Sequence, residues 1–417
     1  MSLLNTARFS DVASVQQLVA MVPRAKSSLK TFLLKLLRMS PWVCVVLIGM
    51  LLVYKYRKNR TIRIVCKQTH RNKLVLERLA EKIREYSPTP YLPFALMKVA
   101  FVADRKLQFL DDYLRMDFKL KDGEVLPLDW YPRDYKSLSP DTPIVVFVPG
   151  IFGTSYDRYS LEFCKMLHQT LGWRSFVLNR RVFMNKIQGN TIISYFHFED
   201  WREIIDFLHQ EYPKADVFLA GVSMGALNIQ KYLIQYSSDP KVAAAVTISS
   251  PFDASESSRT INNNILLNKA MHSTTLSMFR QNLHHPEFVD LCKKKGVNIE
   301  RVLNTKTFRE FDWEFCIKEL NLKHPEEYYE LLSSHKYISK ISVPVLSVNS
   351  EDDPIIPTSN IPFKDILQNP NFIQIMVAGG GHIEYFHGFE LEFVASALTS
   401  SGLSRSPSCT FKTSGDS

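Results

Sequence analysis

The sequence lacks what marks a disulfide or metal scaffold. Its six cysteines (Cys44, Cys66, Cys164, Cys292, Cys316 and Cys409) form no C-x-x-C pair and no metal-ligand spacing, so they read as reduced, inert thiols. No metal and no cofactor is expected. Acids are nearly missing from one end: residues 1–76 hold 14 Lys and Arg against the single acid Asp11, while the rest of the chain holds 37 bases against 41 acids. The formal charge of +9 therefore belongs to a terminal segment, and the body is mildly acidic. A folded basic stripe beside aromatics or a groove-reading helix is absent too, which argues against nucleic acid as a partner. At 45% hydrophobic and 22% charged residues, the 417-residue chain is not disordered, collagen-like or coiled coil as a whole. It fits one large α/β domain with appendages.

Residues 39–54, MSPWVCVVLIGMLLVY, carry no charge and are bracketed by Lys30, Lys35 and Arg38 before and by Lys55, Arg57, Lys58 and Arg60 after. At roughly 1.5 Å per residue this run spans about 24 Å as a helix, short of a ~30 Å hydrocarbon core, although Trp42 and Tyr54 suit the two interfaces. It reads as an uncleaved single-pass anchor for a thin membrane such as that of the endoplasmic reticulum. The run starts too late for a signal peptide, and KYRKNR after it offers no small-residue cleavage site. A buried core helix would carry polar residues at helical spacing, and this run does not. Residues 1–38 form a basic segment with an amphipathic stretch, Leu29, Phe32, Leu33, Leu36 and Leu37 lying opposite Lys30, Lys35 and Arg38. Both flanks of the run are basic, so orientation stays open.

After a linker at 55–94, residues 95–398 repeat a strand–helix rhythm. Short apolar strands are expected at 143–150, 173–179, 216–221, 241–249, 341–349 and 372–378, separated by amphipathic helices such as 158–171 and 199–212. Apolar strands separated by helices of this length predict a mostly parallel sheet covered on both faces, an α/β fold. The rhythm breaks over about 251–340, too long for a loop, which predicts a helical lid. Residues 399–417 lack apolar periodicity and are expected to be disordered.

The sharpest local signal is Gly221-Val222-Ser223-Met224-Gly225, placed where a strand should end and a helix begin. A nucleophile elbow holds its serine in a strained turn, and the two glycines leave room for the neighbouring strand and helix. A serine hydroxyl is too weak a nucleophile unaided, so a base and an acid must follow in the order Ser, acid, His. His382, in VAGGGHIEYF just after the last strand, is the expected base, ahead of His387 one helical turn further on. The acid should come from SEDDPIIP after the strand at 341–349, with Glu351, Asp352 and Asp353 on offer. Asp353 is preferred over Asp352 because Pro357 stands four residues beyond it. Backbone N–H groups of Met224 and of Ile151, in PGIFGTS, are the expected oxyanion donors. His285 and Asp290 fit H-x-x-x-x-D, a weak pattern in the expected lid.

LAGVSMG, VPGIFGTS, TFREFDWEF, EEYY and SVPVLSVNSEDDPIIP together resemble the membrane-anchored α/β-hydrolase-domain lipases, the group that includes phospholipase and monoacylglycerol lipase members. The resemblance covers about 85–395. It implies an α/β-hydrolase fold, an N-terminal anchor, a triad at Ser223, Asp353 and His382, and glycerolipid esters as substrates. One departure is visible: the family's Arg-Gly pair after the strand at 173–179 is Arg180-Arg181-Val182 here. The expectation is a membrane-bound serine hydrolase acting on lipid esters. The competing reading is a catalytically silent module of the same fold that binds a lipid or a protein. Ile265, Leu266, Leu267, Leu276, Met278 and Phe279 are expected to cover an acyl chain.

Overall fold

The computed structural model describes residues 62–85, 110–151, 153–181, 197–383, 385–387 and 392–393. Of a separate compact unit, Met1–Tyr56, it describes only the helical residues 45–47 and 49–50. The rest of the expected anchor, the whole basic segment at 1–38 and the expected disordered tail lie outside the described residues. Among the described residues no helix is long and apolar enough to cross a membrane.

In chain order the body runs β1 (Arg63–Cys66), α1 (His70–Glu85), β2 (Leu114–Lys119), β3 (Val125–Tyr131), β4 (Ile144–Val148), α2 (Arg158–Leu171), β5 (Arg174–Leu178), α3 (Phe198–Glu211), β6 (Val217–Val222), α4 (Met224–Gln235) and β7 (Ala244–Ile248). The lid helices α5 (Ala254–Asn263), α6 (Ile265–Asn282), α7 (Pro286–Lys294) and α8 (Pro325–Leu332) follow, with shorter helical pieces between α7 and α8. The sheet resumes with β8 (Val345–Ser350), α9 (Phe363–Gln368) and β9 (Phe372–Val377).

The strands form one nine-stranded sheet in the order β1-β9-β8-β7-β6-β4-β5-β3-β2. Strands β4 to β9 pair in parallel. Their burial explains the apolar strand sequences. Ile144, Val146 and Val148 of β4 join one core with Trp201, Ile204 and Leu208 of α3. Val145 and Phe147 point the other way, into a second core with Phe163, Cys164 and Leu167 of α2. A strand buried on both faces has no polar positions to alternate.

The antiparallel edges were not expected. β1 pairs with β9 at one side, and β2 and β3 extend the sheet beyond β5 at the other. The fold thus reaches back into the stretch read as a linker at 55–94. β1 is a four-residue edge strand, RIVC, with Arg63 and Ile64 exposed, so it lacks the apolar run that marks an interior strand. The β2–β3 hairpin did carry a readable signal, Asp122-Gly123 between two strand-like runs.

The lid has its own core, in which Phe279 packs edge-on to Phe288 at 5.4 Å and to Phe315 at 5.1 Å between ring centres. β4 leads to β5 on one side and its neighbour β6 leads to β7 on the other, so connections leave these two adjacent carboxyl ends in opposite directions. That crevice is where open α/β sheets bind ligands.

Candidate active site

Between β6 and α4, Ser223 takes φ 53° and ψ −122°, a conformation that side-chain-bearing residues adopt only under constraint. Its N–H donates to Ile248 O at 2.8 Å, which ties the turn to β7. Crowding explains the second glycine: a Cβ on Gly225 would lie 2.2 Å from the backbone oxygen of Val148 in β4. No side chain fits there.

His382 arrives on the loop after β9, where Gly379 and Gly381 take positive φ of 77° and 69° and turn the chain back over the sheet. Ser249 donates its hydroxyl to the His382 carbonyl and meets Tyr385 Oη at 2.7 Å, which pins the loop from beneath. His382 Nε2 lies 2.8 Å from Ser223 Oγ, and its Nδ1 lies 2.8 Å from Asp353 Oδ2. The other oxygen of Asp353 accepts from the N–H groups of Ile355 (2.8 Å) and Ile356 (3.0 Å), so the carboxylate is oriented on both sides. Asp352, one residue earlier, does something else. It accepts from Ser350 Oγ at 2.5 Å and from Gly381 N–H at 3.1 Å, bracing the histidine loop. Of the three acids on offer, Asp353 is the one hydrogen-bonded to the imidazole among the described residues.

Met224 and Ile151 flank the serine, and among the described residues neither backbone N–H donates a hydrogen bond. Two unspent donors beside a serine are what an oxyanion requires. His387 does not sit in a helix as expected: it pairs with Glu392 in a two-residue ladder. His285 caps α7, and Asp290 is exposed and paired with Lys293 at 3.5 Å, so the H-x-x-x-x-D pattern is a solvent-side feature of the lid.

Ser223 and His382 open into a cavity of about 370 Å³ between the sheet and the lid. Its wall is largely apolar, with Leu227, Ile261, Met271, Phe308 and Leu332 among the lining residues. Of the six lid residues expected there, only Leu267 lines it. Leu276 and Phe279 are spent on the lid's own core, Met278 is half-buried, and Ile265 and Leu266 are exposed. The cause is helical phase: residues 276 and 279 of α6 face inward to the other lid helices, while Leu267, Ala270, Met271 and Thr274 turn to the cavity.

One polar group in that wall was missed altogether. Asp312 sits in a π-helical turn, Asp312–Cys316, buried among lid residues. Tyr329 donates to it at 2.9 Å and Cys316 Sγ at 3.5 Å, while Ser258 in turn donates to Tyr329 at 2.8 Å. Burial pushes its carboxyl up to about 7, against the lowering effect of the Tyr329 hydrogen bond. The TFREFD motif marked the segment without indicating that Asp312 faces a cavity.

A mostly parallel sheet, a serine in a strained strand-to-helix turn and a helical insertion before the last two parallel strands together define the hydrolase class of α/β folds. The chain belongs to the α/β-hydrolase fold family, whose pattern matches residues 143–389. Phospholipase ABHD3 of Homo sapiens is 31% identical over 283 residues, which span 65% of this chain and 66% of that protein. Monoacylglycerol lipase of Saccharomyces cerevisiae is 26% identical over 265 residues, or 61% of this chain and 58% of that protein. The chain thus spans about 66% of the length of the phospholipase relatives it matches.

Proposed function

We propose that this chain is a serine hydrolase that cleaves carboxylic esters of glycerolipids, a phospholipid or a monoacylglycerol, through an acyl-enzyme. The observation that carries the reading is the Ser223–His382–Asp353 line, with both links at 2.8 Å, at the edge of an apolar cavity. In this mechanism His382 Nε2 takes the Ser223 proton as Oγ attacks the ester carbonyl. Asp353 holds the Nδ1–H tautomer and stabilises the imidazolium, and the N–H groups of Met224 and Ile151 bind the developing oxyanion. The imidazolium then protonates the leaving alcohol. Water, deprotonated by the same imidazole, releases the acyl group from Ser223.

The lipid part rests on the cavity's size and apolar wall and on the chain's similarity to a phospholipase and a monoacylglycerol lipase. A pocket of a few hundred Å³ lined by aliphatic side chains suits an acyl chain. Residues 39–54 would hold the domain at the membrane where such substrates lie. The test is a lipid-extract comparison of wild type with Ser223→Ala in detergent micelles. Glycerolipid esters should disappear, and free fatty acid appear, only with the wild type, with kcat/KM rising with acyl length to an optimum. Equal turnover at all chain lengths, or a preference for peptides, would remove the lipid reading.

A further inference from the structure

After β5 the chain presents Arg180 and Arg181 side by side, and the two guanidinium groups go opposite ways. Arg181 turns to acids: it grips both carboxylate oxygens of Asp200 at 2.7 and 2.5 Å and reaches Asp122 at 2.7 Å. That closes a surface-to-core ion network. Arg180, 3% exposed, donates from Nη2 to the carbonyl oxygen of Gly150. The same oxygen accepts the Gly153 N–H at 3.0 Å. Gly150 is the residue packed against the nucleophile, because a Cβ built there would sit 3.4 Å from Ser223 Cβ.

The carbonyl of Gly150 and the N–H of Ile151 belong to one peptide unit. In a planar trans peptide they point in opposite directions, so a cation drawing the oxygen one way aims the N–H the other. That N–H carries no hydrogen bond among the described residues, and Ile151 lines the cavity with Ser223 and His382. A peptide whose oxygen is bonded to a cation is also polarised, which strengthens its N–H as a donor. A guanidinium that merely fills space would have no reason to be bonded to the carbonyl of the peptide whose N–H faces the cavity.

We propose that Arg180 is the positioning residue of the oxyanion hole: by holding the Gly150 carbonyl it sets the direction and strength of the Ile151 N–H toward the oxygen of the reacting ester. The inference rests on the serine-hydrolase reading above. It assigns a task to Arg180, and it makes the aim of the Gly150–Ile151 peptide depend on a side chain that follows the neighbouring strand.

The experiment measures kcat and KM separately on a soluble aryl ester, together with the rate of fluorophosphonate labelling, for wild type, Arg180→Met, Arg180→Lys and Arg180→Gly. Loss of one oxyanion donor lowers kcat by about 100- to 1000-fold. Arg180→Met should approach the lower of these figures, with KM changed by less than about threefold and labelling slowed in step. Arg180→Lys, which keeps the charge without the fork, should fall between Arg180→Met and wild type. Methylguanidinium added to Arg180→Gly should restore part of kcat, and it should restore nothing to Ser223→Ala. If Arg180→Met does not fold, the lysine variant and the rescue decide. A folded Arg180→Met or Arg180→Lys protein with wild-type kcat, or a loss confined to KM, overturns the inference while leaving the hydrolase reading intact. A folded wild-type protein that is not labelled at all overturns the reading beneath it.

Discussion

Two buried carboxyl groups, Asp353 after a strand of the sheet and Asp312 in the lid, are built differently. Asp353, in the loop after β8, meets an imidazole and two backbone N–H groups, so each of its oxygens holds a donor. Asp312, in the lid, meets a phenol and a thiol, and burial pushes its carboxyl up to about 7. The sheet supplies backbone donors because its strands stop there and leave N–H groups over. The helical lid consumes its backbone donors internally and leaves a carboxyl to side chains alone. On the proposed function, the chemistry would sit at the strand ends and the lid would shape what enters.

The largest effect should come from the sheet side. Ser223→Ala should lower kcat by on the order of 10⁶-fold in a steady-state ester assay, since members of such a unit fail together. Residual turnover within a hundredfold of wild type would place the nucleophile elsewhere. Next in size, Asp353→Asn should lower kcat by on the order of 10⁴-fold, because the asparagine amide favours the wrong imidazole tautomer. Asp352→Asn should cost about tenfold or less, for it braces the loop through Ser350 and Gly381. Equal losses in the two variants would erase the distinction between them.

The strand ends were also the legible part of the sequence. Strands β4 to β9, the elbow at Ser223 and the order Ser, acid, His can all be read from apolar runs bounded by turns. The physical reason is that a parallel strand buried on both faces tolerates almost no polar residue, so it stands out. The edges did not stand out. β1 is four residues within a basic segment, and β2 is largely exposed, so neither shows the interior pattern. In the lid, apolar residues on α6 were visible, but whether each serves the lid's core or the cavity depends on helical phase relative to partners far along the chain. Asp312 and Arg180 were hidden for the same reason: their partners, Tyr329 and Gly150, lie 17 and 30 residues away. Asp353 was separable from Asp352 only through a proline four residues on, whereas the geometry separates them by which one meets the imidazole.

The lid side should give smaller, graded effects. Each methylene buried in an apolar pocket is worth about 0.8 kcal/mol, or roughly a fourfold step in kcat/KM. Ala270→Phe, placed on the cavity wall, should therefore shorten the preferred acyl chain while leaving turnover of a short ester unchanged. An unchanged chain-length profile would remove the lid from substrate selection.

A last effect concerns stability rather than turnover. The Asp312 carboxyl is raised from 3.8 to about 7, so between those values the folded chain holds a proton that the unfolded chain has released. Stability should fall as pH rises across that window, and Asp312→Asn should flatten the fall in a thermal-unfolding series. A variant whose melting temperature keeps the wild-type slope from pH 4 to 7 would show that Asp312 ionises as an exposed acid does.

The most direct measurement is the intact mass of the folded protein after treatment with a fluorophosphonate, followed by peptide mapping. An activated serine beside two unspent backbone donors reacts where ordinary serines do not. The result expected is one adduct, on the peptide containing Ser223, absent from Ser223→Ala and greatly slowed in Asp353→Asn. A folded protein that takes up no adduct, or takes it up on another serine, would contradict the assignment of Ser223, His382 and Asp353 as a catalytic unit.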